Sequence, residues 1–265
     1  MNNLTELGNA INGSFCLSAS LLATQPFFTL KTFHMTQSQR PPFRRLWAGY
    51  MPNAVAGGLA EGVTFVTYKI GSDLLKKQGE ELSNHQNIAL SLAAGTIGAP
   101  INASFEQGMI RQQLYGNSLS YHMKAIYKAS SWKGIFKATG FTAARDGLFT
   151  CGIFAFNDYT QSLIKPIVAI PFWNNLTSGM ISGMVAGFFS TPFDLVKTIV
   201  QADSKIDRTC TDITKEMIKR KGIASIFKGA VHRSLTIGPL ICLTSLLKEQ
   251  TLDYFPEYLK TQHFE

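Results

Sequence analysis

Long stretches of apolar residues recur along the chain, and polar or charged residues separate them. The clearest stretch runs from Leu176 to Val200 and carries only two charged side chains, Asp194 and Lys197. A stretch of this length can cross a lipid bilayer as a helix. Along the whole chain, the pattern predicts an all-α membrane protein with six transmembrane helices, over residues 9–37, 53–76, 86–115, 140–163, 173–203 and 232–255.

Glycines recur at every fourth position within the fifth predicted helix, at Gly179, Gly183 and Gly187. Small residues at this spacing share one face of a helix, and they allow a neighbouring helix to approach closely in lipid. We therefore expect this face to pack against another membrane helix.

The composition agrees with membrane helices that also face water. Of 265 residues, 45% are hydrophobic and only 16% are charged, which is a low charge content for a soluble domain. Helices that line a water-filled cavity keep polar inner faces, which dilutes the hydrophobicity without removing the spans. The four cysteines and five histidines lack metal-ligand spacing, and no catalytic constellation is visible, so we expect no metal, cofactor or enzymatic activity.

The first, third and fifth helices each contain a proline within a related sequence. The third copy reads Pro192-Phe193-Asp194-Leu195-Val196-Lys197, and weaker copies begin at Pro26 and Pro100. We expect a kink at each proline, because proline removes a helical hydrogen bond. Each copy is followed by an aromatic residue two positions before a small one, in the triplets Trp47-Ala48-Gly49, Phe136-Lys137-Ala138 and Phe227-Lys228-Gly229. Repetition on this scale predicts three helix pairs, none of which can bury its inner face alone.

These motifs resemble those of the mitochondrial carrier family, and the resemblance covers essentially the whole chain. It implies three pseudosymmetric two-helix repeats around a central cavity, over residues 1–82, 83–168 and 169–265. It also implies a transporter that moves a small metabolite across the mitochondrial inner membrane by alternating access. Its expected partners are that substrate and membrane lipid, with cardiolipin as the bound lipid of a monomeric protein.

The basic residues of the chain indicate its orientation. The formal net charge is +8, and basic residues cluster between the two helices of each repeat, whereas the segments that join repeats carry fewer. This asymmetry places the intra-repeat loops on the matrix side and both termini on the opposite side. Nucleic-acid binding is the rival interpretation of the charge, but no basic segment interleaved with aromatic residues supports it.

The resemblance implies a gate on the matrix side, in which the acid two residues after one proline pairs with the base five residues after the proline of the next repeat. Carried over by position, the acid positions hold Phe28, Asn102 and Asp194, and the base positions hold Lys31, Phe105 and Lys197. Only Asp194 with Lys31 remains an ion pair. Gln201 occupies the position of a brace beneath the last pair.

The other two partnerships of this gate lose their charges in matched pairs. Phe28 would face Phe105, and an aromatic pair can replace a salt bridge at little cost. Asn102 would face Lys197, and an amide oxygen can accept a hydrogen bond from an ammonium.

On the opposite side, the resemblance implies an outer gate at Lys69, Asp158 and Glu249. The positions of its basic partners hold Ser72, Gln161 and Leu252 instead. We therefore expect a weakened outer gate that opens easily.

Substrate contacts are implied two turns into each even-numbered helix, at Ala56, Arg145 and Thr236. Gly57, beside Ala56, leaves room for a large substrate group, and Arg233 lies one turn before Thr236. Arg145 followed by Asp146 is similar to the pair in carriers of amino acids and related zwitterions. The two side chains together can hold a carboxylate and an ammonium.

Within the family, the resemblance is strongest to S-adenosylmethionine carriers. It rests on a short first intra-repeat loop, the run Ala48-Gly49-Tyr50-Met51-Pro52-Asn53-Ala54, the Arg145-Asp146 pair and His232-Arg233. We therefore expect S-adenosylmethionine or a related amino-acid-like adenine compound as substrate. Adenine nucleotide is the alternative, because Arg145 and Arg233 could hold phosphates, although Asp146 would repel a polyanion.

Two further hypotheses stay open. The eroded motifs, together with an N-terminal segment that lacks a presequence pattern, also fit a carrier encoded by a parasite or an intracellular bacterium and sent to host mitochondria. A non-transporting membrane adaptor is the alternative from a different class of protein.

Overall fold

The computed structural model describes residues 6–39, 41–76, 82–168, 170–202 and 208–251. The helices are α1 (Glu6–Met35), α2 (Tyr50–Leu75), α3 (Asn84–Tyr115), α4 (Leu119–Ile135), α5 (Thr139–Cys151), α6 (Asn157–Ile164), α7 (Pro171–Ala202), α8 (Cys210–Lys221) and α9 (Ala230–Thr251). Short 3-10 turns cover Phe43–Arg45 and Ile223–Phe227, and no strand interrupts the helices in these ranges.

The six predicted membrane helices all appear. Five of them are α1, α2, α3, α7 and α9, and the fourth predicted helix consists of α5 and α6 joined by a π-helical turn, Gly152–Phe156. Three segments are apolar enough to be membrane spans by length and composition alone: Asn84–Tyr115, Pro171–Ala202 and Ile223–Lys248.

The six spanning helices form a closed ring. In chain order, α1 packs against α2, α2 against α3, α3 against α5, α5 against α7 and α7 against α9, and α9 returns to α1. The all-α membrane fold predicted from the sequence is confirmed, and the ring leaves a space at its centre in which polar side chains of several helices meet.

Three short elements lie between the two long helices of successive pairs: the turn Phe43–Arg45 and the helices α4 and α8. We call this side of the ring the basic end. The C-termini of α3 and α7 meet there, because the Arg111 Nε donates to the Gln201 carbonyl at 3.2 Å and the Tyr115 hydroxyl to the Ala202 carbonyl at 3.3 Å. At the same end, the ring of His34 in α1 stacks on that of His232 in α9, with centroids 4.2 Å apart.

The small residue of each aromatic-x-small triplet adopts the same backbone conformation. Gly49, Ala138 and Gly229 have φ angles of 79°, 67° and 89°, and they immediately precede α2, α5 and α9, respectively. This left-handed region suits glycine and strains residues that carry a Cβ. The repeated sequence signal therefore marks a sharp chain reversal, and Ala138 adopts it at a cost.

The three signature prolines lie inside helices, at Pro26 in α1, Pro100 in α3 and Pro192 in α7. Proline has no backbone N–H, so the carbonyl four residues earlier loses its helical donor. At the first proline this carbonyl belongs to Leu22, and it accepts a hydrogen bond from the indole of Trp47 at 3.3 Å. Trp47 is thereby tied to the helix whose proline precedes it.

The predicted glycine face of α7 packs against α9. A Cβ placed on Gly183 would lie 2.8 Å from the Cα of Gly238, and one on Gly187 would lie 3.0 Å from the Cα of Ser234. These distances leave no room for a side chain at Gly183. The sequence prediction of close helix packing at this face is confirmed.

Candidate functional site

Seven charged side chains meet inside the ring, and we call them the charged layer. They are four cations and three carboxylates: Lys31, Arg145, Lys197, Arg233, Glu106, Asp146 and Asp194. All are buried. Because ionised groups are costly at membrane depth unless they are paired, the layer is held together by mutual neutralisation, with one positive charge in excess.

Asp194 of α7 is the centre of the layer. Asp194 is fully buried. Its carboxylate accepts a hydrogen bond from Lys31 at 2.7 Å and pairs with Arg233 at 2.9 Å. Arg145 and Lys197 approach its second oxygen, at 3.6 and 3.7 Å. The predicted contact of Asp194 with Lys31 is confirmed, and the structure adds Arg233 of α9 to the same carboxylate. One acid thus links α1, α7 and α9.

Glu106 of α3 is the acid that sequence reasoning missed. It forms ion pairs with Arg145 of α5 and with Lys197 of α7, one through each carboxylate oxygen. The predicted partnership of Asn102 with Lys197 is therefore wrong. The Asn102 amide instead donates to Asp146 at 2.9 Å. Lys197 needs a full negative charge at this depth, and Glu106 supplies one that an amide cannot.

A helical periodicity argument could have found Glu106. It lies four residues after Asn102 in α3, so both side chains are on one face of that helix. It is also an acid within an apolar helix, which is a functional-site hypothesis by default. Glu106 stands one residue beyond the expected base position, Phe105, so the family motif does not mark it.

The expected stacking of Phe28 on Phe105 is absent from the ring contacts of the described residues. The Lys31 ammonium lies 5.2 Å from the centroid of the Phe28 ring, and Phe28 packs against a buried apolar cluster that includes Leu17 and Leu21. Phe28 therefore shields the ion pair of Lys31 from the cavity side, and the proposed pair of aromatic residues is not formed.

Gln201 connects two neighbouring helices at the level below the charged layer. Its amide donates to the carbonyls of Ala103 in α3 and Lys137, both at 3.4 Å. Lys137 is the middle residue of the second aromatic-x-small triplet. Gln201 thus joins α7 to the α3 side of the ring. Its expected function as a brace stays a prediction.

A cavity opens inside the ring next to the charged layer. Its walls include four predicted substrate residues: Arg145, Asp146, Arg233 and Gly57. The predicted gate residues Asn102 and Phe28 line it as well, together with Glu106. Two predicted substrate positions do not reach it. Ala56 is buried in the helix packing, and the Thr236 hydroxyl donates to the His232 carbonyl of its own helix at 2.6 Å. Gly57 and Arg233, which were also predicted, do line the cavity wall.

The Arg145 side chain is shared by several acids. Its Nε donates to Asp146 at 2.6 Å, one terminal nitrogen pairs with Glu106, and the same nitrogen lies 3.6 Å from Asp194. Asp146 also accepts from Asn102. The arginine therefore faces the cavity with its donors already engaged, and a bound anion would compete with Glu106 and Asp146 for them.

Away from the basic end, the cavity continues between α2, α5 and α9. Glu61, Leu17 and Phe149 line both parts, and Lys248 and Phe65 line only the second. The Lys248 ammonium lies 4.0 Å from the centroid of the Phe65 ring, in a cation–π contact. Neither Glu61 nor Lys248 was singled out from the sequence, because both lie beyond the family contact positions.

The predicted outer gate is not assembled. Lys69 pairs with Asp73 of its own helix at 3.0 Å, and both side chains are about half exposed. Asp158 lines a separate groove near Asn84 and Tyr159, and no contact joins it to Lys69. The side chain of Glu249 lies outside the described part of the structure. With the charged layer paired and Lys69 turned to Asp73, the ring is tied together at the basic end.

The fold is a ring of six spanning helices around a buried, charge-lined centre. Residues 168–259 match the family model described as Mitochondrial carrier protein. The match covers 92 of the 265 residues, so the chain is similar to the mitochondrial carriers over that part. The resemblance to this family that the proline and aromatic motifs indicate is confirmed.

Several known carriers are similar to the chain over most of its length. The human mitochondrial 2-oxodicarboxylate carrier is 25% identical over 228 residues, which cover 80% of this chain and 75% of that protein. The mitochondrial glycine transporter of Vanderwaltozyma polyspora is 24% identical over 263 residues, covering 84% and 88%. The mitochondrial S-adenosylmethionine carrier protein of Xenopus tropicalis is 25% identical over 239 residues, covering 86% and 89%. The names of these relatives specify different substrates, and all describe carriers or transporters.

Proposed function

We propose that this carrier moves S-adenosylmethionine, or a related amino-acid-like adenine compound, by alternating access. The observation that carries the proposal is the composition of the charged layer, in which four cations face three carboxylates. One excess positive charge beside the cavity suits the single carboxylate of an amino acid. Similarity to the Xenopus tropicalis carrier named for S-adenosylmethionine supports the same substrate class.

Arg145 and Asp146 are the residues that we assign to the amino-acid group. The guanidinium of Arg145 would accept the substrate carboxylate, and Asp146 would accept hydrogen bonds from the substrate ammonium. Both side chains line the cavity. Because the amino-acid group brings one charge of each sign, neither protein group is left unpaired during exchange of partners.

Glu106 gives substrate binding a route to the gate. In the described state it is shared between Arg145 and Lys197. A substrate carboxylate on Arg145 would weaken the bond of Glu106 to that arginine and leave it to Lys197 alone. The contacts that join α3, α5 and α7 at the basic end would then loosen when substrate is present. Such a change would lower the barrier to opening on the matrix side.

Adenine nucleotide fits this site less well. A triphosphate would bring several negative charges to a layer with one excess cation, and Asp146 and Glu61 in the cavity wall would add repulsion. The proposal therefore favours a zwitterion or a cation over a polyanion. The 2-oxodicarboxylate and glycine transport named for other relatives are included as alternatives in the test.

Uptake into proteoliposomes that contain the purified protein tests the proposal. The labelled compounds are S-adenosylmethionine, ATP, glycine and a 2-oxodicarboxylate, each with and without the same compound inside the vesicles. We expect saturable S-adenosylmethionine uptake that Arg145→Ala abolishes, and we expect no ATP uptake. ATP uptake without S-adenosylmethionine uptake would replace the proposal with the nucleotide alternative. Uptake no faster than in empty vesicles for every compound would support the adaptor hypothesis.

A further inference from the structure

Glu61 is a buried carboxylate in the middle of α2 that forms no hydrogen bond or salt bridge with the described residues. Its residue is 7% exposed, and it lines the cavity at the junction of the two parts described above. Asn53, Gly57, Ala60 and Thr64 line the same cavity from α2. These spacings of three and four residues define one helix face, and Glu61 belongs to it.

No hydrogen bond or salt bridge joins the Glu61 carboxylate to another residue in the described part of the chain. This sets it apart from Glu106, Asp146 and Asp194, which all have cationic partners. Lys248 lines the same part of the cavity and attracts Glu61 electrostatically, but its ammonium lies on the Phe65 ring and forms no salt bridge with that carboxylate. An ionised carboxylate at membrane depth is costly without a partner, so a group that arrives with a positive charge would be bound strongly there.

The position of Glu61 along the ring separates it from the charged layer. Glu61 is twelve residues past Gly49, whereas Arg145 is only seven residues past the equivalent Ala138. At 1.5 Å per residue, Glu61 lies about 7 Å farther from the basic end than Arg145. The cavity therefore offers an excess of positive charge at one level and, about one and a half helical turns away, a carboxylate that forms no salt bridge with the described residues.

We propose that Glu61 is a second binding subsite, which holds a cationic centre of the substrate separate from its amino-acid group. The inference rests on the proposed function and adds to it the direction in which the substrate binds. With the carboxylate on Arg145, two methylene groups separate the amino-acid carbon of S-adenosylmethionine from its sulfonium, which would face Glu61. The subsite would explain selection of a sulfonium compound over the neutral thioether that remains after methyl transfer.

The test compares two ligands of nearly the same shape, S-adenosylmethionine and S-adenosylhomocysteine, of which only the first carries the sulfonium charge. Binding is measured as ligand-induced thermal stabilisation of the purified protein and as competition for uptake into proteoliposomes. The variants are Glu61→Gln, which removes the charge, and Glu61→Asp, which keeps it. Glu216→Gln is the matched control, because Glu216 lies in α8 and pairs with surface arginines.

We expect Glu61→Gln to weaken S-adenosylmethionine binding by about ten- to a hundred-fold, because the sulfonium loses its electrostatic attraction to the carboxylate. Binding of S-adenosylhomocysteine should be unchanged, Glu61→Asp should retain part of the preference, and Glu216→Gln should match the wild type. Equal losses for both ligands would assign Glu61 a structural role, and no loss for either would remove it from the site. Both results overturn the subsite.

Lysine and its neutral analogue norleucine form a second ligand pair that does not depend on the proposed substrate. If the protein binds neither adenosyl compound but binds lysine in a manner that Glu61→Gln abolishes, the proposed function fails and the cation subsite stands. If S-adenosylmethionine is transported and its preference over S-adenosylhomocysteine survives Glu61→Gln, the proposed function stands and the subsite fails. A wild type that binds no cationic compound of either pair overturns both.

Discussion

Lys197 of α7 is paired with Glu106 of α3, one helical turn beyond the amide of Asn102 on the same helix. The displacement has a physical reason in the neighbouring helix. Asp146 of α5 lies beside Asn102 and accepts its amide hydrogen at 2.9 Å. A carboxylate at position 102 would face that of Asp146, whereas Glu106 reaches both Lys197 and Arg145. The acid of this repeat is thus moved along the helix and retained.

Replacing Glu106 with glutamine should strongly destabilise the protein. The change leaves Lys197 without its carboxylate partner and removes one acid from Arg145, and breaking a buried pair in this way costs about 3–5 kcal/mol. Thermal unfolding of the purified protein in detergent measures the loss. The double variant Glu106→Gln with Lys197→Met removes both charges, so it should recover much of the stability. A single variant as stable as the double variant would contradict the pairing.

Introducing an acid at the family position should not improve this network. We expect Asn102→Asp to lower the free energy of unfolding by about 1–3 kcal/mol, because it replaces a donor to Asp146 with a second carboxylate. Asn102→Ala removes the same hydrogen bond without adding a charge, so it should cost less. Thermal unfolding of the two variants separates repulsion from loss of the bond, and equal stabilities would argue that the two side chains do not face each other.

A residue of the site could be predicted from sequence where a family motif marks its position. Lys31 and Asp194 were paired correctly from sequence because both occupy the family motif positions, and motif positions recur at fixed offsets from a proline. Glu106 stands one residue beyond the motif position. Its place on the Asn102 face of α3 follows from helical periodicity, whereas its contact with Lys197 follows from the packing of α3 against α7. Glu61 belongs to no motif. Its importance follows from the fold, in which its carboxylate forms no hydrogen bond or salt bridge with the described residues.

The fold was predictable to a larger extent than the site. Apolar stretches and repeated prolines indicate helix spans whatever their partners are, and the predicted helices agree with the structure within a few residues. The π-helical turn Gly152–Phe156 had no sequence signal, because it arises from how the fourth span packs between α3 and α7. Side-chain pairing such as Phe28 with Phe105 depends on rotation of both helices, which a linear motif does not encode.

Replacing Ala138 with glycine should stabilise the protein. Ala138 adopts a φ of 67° immediately before α5, where its two equivalents are Gly49 and Gly229. An L-residue pays about 1 kcal/mol for this conformation and glycine does not, so the melting temperature should rise. Ala143→Gly, inside α5, is the control and should lower stability by about 0.5–1 kcal/mol. An equal loss in both variants would show that the left-handed backbone at Ala138 carries no strain.

The glycine face of α7 provides a graded series of alanine substitutions. A Cβ on Gly183 would lie 2.8 Å from the Cα of Gly238 in α9, one on Gly187 would lie 3.0 Å from the Cα of Ser234, and one on Gly179 would lie 3.5 Å from that of Cys242. The last distance is an ordinary contact, whereas the first requires the two helices to separate.

Gly183→Ala should therefore destabilise the protein by about 1–3 kcal/mol, the usual cost of overpacking, and Gly187→Ala should cost less. Gly179→Ala is the matched control, and it should be neutral or slightly stabilising because alanine favours the helix. Thermal unfolding of the three purified variants gives the order, and uptake by Gly183→Ala shows whether the α7 and α9 contact is also needed for transport. Equal melting temperatures across the series would mean that backbone contact between these helices does not limit their packing, since the three substitutions add the same methyl group to one helix and differ only in what it meets.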